Sequence, residues 1–173
     1  MRKVYDILNT LFLALTTYTV LSAYPALPDR IPVHFGISGV ADRWGSKSEL
    51  FIFVAISWGL TILFYALTLS MPRLARNPQY LNIPHKWEFL KLPPERQAIY
   101  WELIREFMTA MTVSCNLIFF LIVRGTLHVI QKQTAGLPFK DVAAGLVAMA
   151  LVMLVYLPRM LTIPKKLIRG DES

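Results

Sequence analysis

Charge is scarce in this chain, and histidine and cysteine are scarcer still. Only 17% of residues are charged and 55% are hydrophobic, against about 25% charged and about 45–50% apolar in soluble domains. That imbalance excludes an ordinary soluble domain and puts the membrane class first. The single cysteine, Cys115, excludes an intrachain disulfide and says nothing about redox compartment. It lies inside an apolar run, so its thiol reads as buried and inert. The three histidines fall far apart, with no local zinc-ligand spacing. Nucleophile-elbow, phosphate-loop and His-Glu-x-x-His patterns are absent. No catalytic residue, metal ligand or cofactor is therefore assigned. No arginine-rich block with interleaved aromatics exists, which argues against nucleic acid. The net charge of +7 flanks the apolar runs, where it suits anionic headgroups and topology control.

Four long apolar runs remain, at about residues 4–23, 50–71, 104–124 and 142–161. About 20 such residues cross a bilayer as a helix. The expected fold is an all-α membrane protein of four transmembrane helices, one integral domain over residues 1–173. The first run follows Met1-Arg2-Lys3, as a signal peptide would. Asp6 and Asn9 interrupt its apolar core, and Leu21-Ser22-Ala23 is a poor cleavage site, so an uncleaved helix is expected. Asp6 and Asn9 read as interfacial groups near its charged end. Pro72-Arg73 should close the second helix, and Pro158-Arg159 the fourth. Residues 95–124 hold no glycine or proline. Glu95 after Pro94 is a helix-start signal, and the charged first part should project from the membrane. Glu95, Glu102 and Glu106 share one solvated face of it.

Between the first two runs, residues 24–47 crowd turn formers together with aromatic, imidazole, carboxylate and ammonium groups. Pro25 and Pro28 stop the first helix. Residues 31–35 read as extended, Gly36 and Gly39 permit turns, and Tyr24 and Trp44 suit a headgroup-level aromatic belt. Asp42 reads as a turn-forming carboxylate. Lys47 can pair with Asp42 or Asp29. His34 can bond within its loop or contact a ligand.

Lysines and arginines set the orientation. Arg2, Lys3, Arg73, Arg76, Lys86, Lys91, Arg96, Arg159, Lys165, Lys166 and Arg169 lie on one side. Arg30, Arg43, Lys47, Arg124, Lys132 and Lys140 lie on the other. Both termini should be cytoplasmic and the loop at residues 24–47 should face outward, gathering His34, Asp29, Asp42, Lys47, His128 and Asp141. Within the spans, Asn116 is the notable polar group, because an amide in lipid needs a partner. Interhelical packing or the lining of a solute path would each supply one. No charge sits mid-span, which argues against an ion-driven pump.

Leu27-Pro28-Asp29-Arg30-Ile31-Pro32-Val33-His34-Phe35-Gly36, followed by Gly39-Val40-Ala41-Asp42-Arg43-Trp44-Gly45-Ser46-Lys47, closely resembles the signature of the bacterial domain-of-unknown-function family 1648. That domain also forms the N-terminal part of SdpI-type membrane proteins, some of which act in immunity and signalling. Asn82-Ile83-Pro84-His85-Lys86 with Pro94-Glu95-Arg96 resembles a looser second segment of small members. The resemblance implies a multi-pass protein of the bacterial cytoplasmic membrane whose outer loop carries the signature. It supplies no reaction, and the chain is shorter than the full SdpI arrangement.

The reading that follows is a non-enzymatic sensing or binding protein, SdpI-like in setting. His34, Phe35, Gly39, Asp42, Trp44 and Lys47 would form its recognition surface. Expected partners are membrane lipids and a partner membrane protein or extracytoplasmic peptide. The alternative is an accessory subunit or small permease component, with Asn116 on the path. A metal-dependent membrane enzyme is the least supported class.

Overall fold

The computed structural model describes residues 2–75 and 82–170, with the side chains of Arg2, Pro72, Leu74 and Ala75 left aside. Arg76, Asn77 and Pro78 of the second loop lie outside the described residues. Helix α1 spans Arg2–Ala23, strand β1 Arg30–Phe35 and strand β2 Ala41–Ser46. Helix α2 spans Leu50–Ala75, the one-turn α3 Lys86–Phe89, α4 Pro94–Ile130 and α5 Phe139–Arg169. The helices α1, α2, α4 and α5 are each long and apolar enough to cross a membrane. The chain is thus a mostly helical, multi-pass membrane protein, as expected.

The helices outrun the apolar runs that announce them. α2 continues through Pro72 to Ala75, and α5 passes Pro158 and Pro164 to reach Arg169. Proline was expected to end both. It removes one ladder bond, and membrane helices tolerate that loss when neighbouring groups take up the freed carbonyls. α4 has 37 residues, about 55 Å at 1.5 Å per residue, against a hydrocarbon core of about 30 Å. Its charged first turns therefore extend beyond the apolar depth, where Arg105 pairs with Glu102 at 3.0 Å.

α4 is the central post, with α1, α2 and α5 all packed against it. Two apolar clusters lie at opposite ends of the bundle. One gathers Val20, Leu27, Ile31, Leu50, Val123 and Leu127 beneath the hairpin. The other is built on Phe89, Tyr100, Leu103, Ile104 and Tyr156. Phe89 of α3 sits edge-on to Tyr100 and Trp101, with centroids at 5.3 and 5.7 Å. Gln97 donates to the Leu90 and Leu92 carbonyls at 3.3 and 2.8 Å. The looser second sequence segment is therefore tied to the start of α4.

Between the clusters the bundle has a polar waist. Asn9, Thr16, Ser57, Thr112, Ser114 and Asn116 are buried there. The hydroxyls of Thr16, Thr112 and Ser114 donate to carbonyls one turn back, at 2.8, 2.8 and 3.1 Å. Asn116 instead crosses between helices. Its Nδ2 donates to Asn9 Oδ1 on α1 at 2.5 Å and to Thr61 Oγ1 on α2 at 2.9 Å. Asn9 is thus buried between helices, bonded to Asn116. Asp6, one turn earlier, accepts a hydrogen bond from the Tyr65 hydroxyl.

Candidate functional site

The proline-rich stretch folds as a β-hairpin over one end of the bundle. α1 ends at Ala23, and the chain leaves it through a 3-10 turn at Tyr24–Ala26 that holds Pro25. β1 and β2 pair antiparallel, with Arg30 opposite Ser46, Pro32 opposite Trp44 and Phe35 opposite Ala41. The ladder is irregular on both sides of His34. Pro32 has no N–H to give, and such a residue belongs at an edge or a bulge. The turn closes through Gly36 N–H to the Val40 carbonyl at 2.9 Å and Gly39 N–H to the Gly36 carbonyl at 2.8 Å. Gly39 has φ +79°, a left-handed conformation that glycine takes without steric cost.

Ser46 and Glu49 then start the path into α2. Ser46 Oγ accepts from the Ser48 N–H at 3.3 Å, and Glu49 Oε1 accepts from the Ser46 N–H at 3.2 Å. This reciprocal pair is a capping box. The Ser-x-x-Glu spacing at 46–49 could have announced it from the sequence.

The six sequence-derived residues are not brought together as one surface. His34 Nδ1 lies 2.5 Å from Asp42 Oδ1. A carboxylate only accepts, so Nδ1 carries the proton and donates, which leaves Nε2 for a second partner. Asp42 is therefore a strand residue fixing an imidazole and not a turn former. Lys47 pairs with Asp29 at 3.3 Å, not with Asp42, and donates to the Leu27 carbonyl at 3.2 Å. Its Nζ also stands 5.2 Å from the Tyr24 ring centroid, so Lys47 clasps the hairpin base to the end of α1. Gly39 accepts from the Leu137 N–H at 2.9 Å, docking the turn onto the α4–α5 loop. Trp44 is exposed on β2.

His34 and Phe35 border a cleft of about 310 Å³ beneath the hairpin, with Arg43 and Glu49 at its polar side. Its apolar walls are Leu50, Ile52 and Phe53 of α2, Ile122 of α4 and Val142 of α5. Arg43 and Glu49 were not singled out in the sequence. Arg43 Nη2 stands 3.6 Å from Glu49 Oε2, longer than a direct hydrogen bond. His128 and Asp141 do not line the cleft. Among the described residues, no three His, Cys, Asp or Glu side chains converge as a metal site requires.

The arrangement defines a multi-pass helical protein with a hairpin-roofed cleft at one end of its bundle. Residues 11–58 match the family described as Domain of unknown function (DUF1648). That segment holds most of α1, the whole hairpin and the start of α2, so the resemblance seen in residues 27–47 holds there. The chain is also similar to a protein of Archaeoglobus fulgidus described as an uncharacterized protein, 34% identical over 95 residues. The likeness covers 54% of this chain and 52% of that one, so the chain spans about half the length of this curated relative. No solved structure matches the chain.

Proposed function

We propose that this is a non-enzymatic sensing or binding protein whose recognition site is the cleft beneath the hairpin. The observation that carries the reading is the meeting of His34, Arg43 and Glu49 with apolar walls from three helices. Such a mixture, with a few oriented polar groups on an apolar surface, is what small-ligand sites present. The His34–Asp42 pair fixes the imidazole and leaves Nε2 for a partner, a geometry that suits binding. The setting we propose is the bacterial cytoplasmic membrane, with both termini in the cytoplasm, the hairpin on the outer face and an SdpI-like role in immunity or signalling.

Two experiments test this. His34→Ala and Val142→Trp should fold in near wild-type yield and lose the ligand or partner that wild-type protein retains when purified from native membrane. Collapse of folded yield with both would make the hairpin purely structural and end the reading. For the orientation, Ser38→Cys should react with an impermeant thiol reagent on intact cells, and Leu90→Cys only after lysis, both in a Cys115→Ala background. The reverse pattern would invert the topology.

The accessory-subunit or permease reading draws on a groove of about 490 Å³ between α1 and α2, bordered by Asn9 and Thr61. Reconstituted uptake lost in Asn116→Leu but kept in His34→Ala would favour it. The paired state of Asn116 favours a packing role instead.

A further inference from the structure

We infer that the cleft takes a zwitterionic membrane lipid, one whose headgroup carries a phosphate and a primary ammonium. This rests on the reading that the cleft is a binding site, and it names the occupant.

The argument begins with where the cleft opens. α2 and α5 both pack on α4 and make no substantial contact with each other. Ile52 of α2 and Val142 of α5 thus face each other across Ile122 of α4, with the hairpin as roof. A gap between two membrane-crossing helices is reached from the side, through the bilayer. It also lies at the ends of those helices, where α2 begins at Leu50 and α5 at Phe139. That is headgroup depth, and the exposed Trp44, next in the chain to Arg43, is an interfacial residue type. An acyl chain entering from the side meets apolar walls, and its headgroup meets the polar side of the cleft.

The charges at that side select the headgroup. Arg43 and Glu49 form an ion pair at 3.6 Å, longer than a direct hydrogen bond, so a headgroup can enter between the cation and the anion. His34 is held by its hydrogen bond to Asp42. A purely anionic headgroup would reach Arg43 but face Glu49, and a purely cationic one the reverse. A headgroup with both charges satisfies both residues, with phosphate toward Arg43 and His34 Nε2 and ammonium toward Glu49. A primary ammonium donates hydrogen bonds to a carboxylate, whereas a quaternary one has no N–H to give.

The test uses the full chain in detergent and native mass spectrometry. The probes are phosphatidylethanolamine, phosphatidylglycerol and phosphatidylcholine with identical acyl chains, and free phosphoethanolamine. The ethanolamine lipid should be retained about tenfold over the other two, the value of one charge-assisted hydrogen bond. Arg43→Gln should abolish that preference. Glu49→Gln, which keeps an oxygen to cap the Ser46 N–H, should shift preference toward the glycerol lipid. Equal retention of the three lipids, or a preference that survives Arg43→Gln, overturns the proposal. So does displacement by free phosphoethanolamine at equal concentration, which would make the ligand a soluble headgroup. If lipid selectivity is absent while Val142→Trp still strips a native ligand, the cleft remains a binding site and only its occupant is wrong.

Discussion

Gly39→Val should unseat the hairpin from the bundle. A side chain at φ +79° is strained, and its Cβ would stand 2.9 Å from the Leu137 carbonyl oxygen. The strain costs about 1–3 kcal/mol and the overpacking about 1–3 kcal/mol more. The opposing surface is equally tight: a Cβ on Gly136 would stand 2.6 Å from the Gly39 carbonyl oxygen. Both partners in that contact are main chain, so no side chain can swing aside. Gly136→Ala should therefore repeat the effect in weaker form. Gly59 is the internal control, because nothing lies within 4 Å of a Cβ there. Gly59→Ala should hold or slightly raise stability, by up to about 1 kcal/mol. The readouts are denaturation of the detergent-solubilised protein and protease cutting within residues 35–41. Gly39→Val behaving like Gly59→Ala would show that the turn does not dock.

Asn116→Leu should loosen three helices at once. Its amide is fully buried and gives both its donors to other helices. Replacing it strands the buried Asn9 side-chain carbonyl inside the bundle. Interhelical hydrogen bonds in membranes are worth about 1–2 kcal/mol at most, and a stranded buried polar group costs about 1–3 kcal/mol. A loss of roughly 2 kcal/mol is expected on those grounds. Removing both amides should be milder than the sum of the single changes, because Asn9→Leu deletes the group that Asn116→Leu strands. A double-mutant cycle measures this directly. Strict additivity would mean that the two amides do not bond.

The four spans were legible because composition alone decides them: runs of about 20 apolar residues have few other fates. Their ends were not, since Pro72, Pro158 and Pro164 obey a rule from water that lipid relaxes. The hairpin was half legible. Extended residues at 31–35 and a turn at Gly36 and Gly39 could be seen, while the pairing partner of β1 could not. The bulged register, not a sequence spacing, brings His34 to Asp42. Lys47 was seen to need a carboxylate, and geometry chose Asp29. Arg43 and Glu49 escaped notice because each reads as an ordinary solvated charge until β2 and the turn before α2 bring them together. The partner of Asn9 was hidden for a related reason. Its nearness to the chain start suggested an interfacial group, and only the packing of α1 on α4 shows its bond to Asn116.

The hydrogen bond from Leu137 to Gly39 also bears on how the protein is made. The hairpin is synthesised early, yet its seat is supplied about a hundred residues later. At roughly 5–20 residues per second, the hairpin waits many seconds after its own strands are complete. During that interval it has neither the α4–α5 loop to rest on nor Val142 to close the cleft. The segment that matches a family, residues 11–58, is therefore not a self-sufficient unit in this chain. The cleft beneath the hairpin is complete only once α5 has been inserted, so a ribosome that stalls before that point leaves a membrane-anchored hairpin without its cleft.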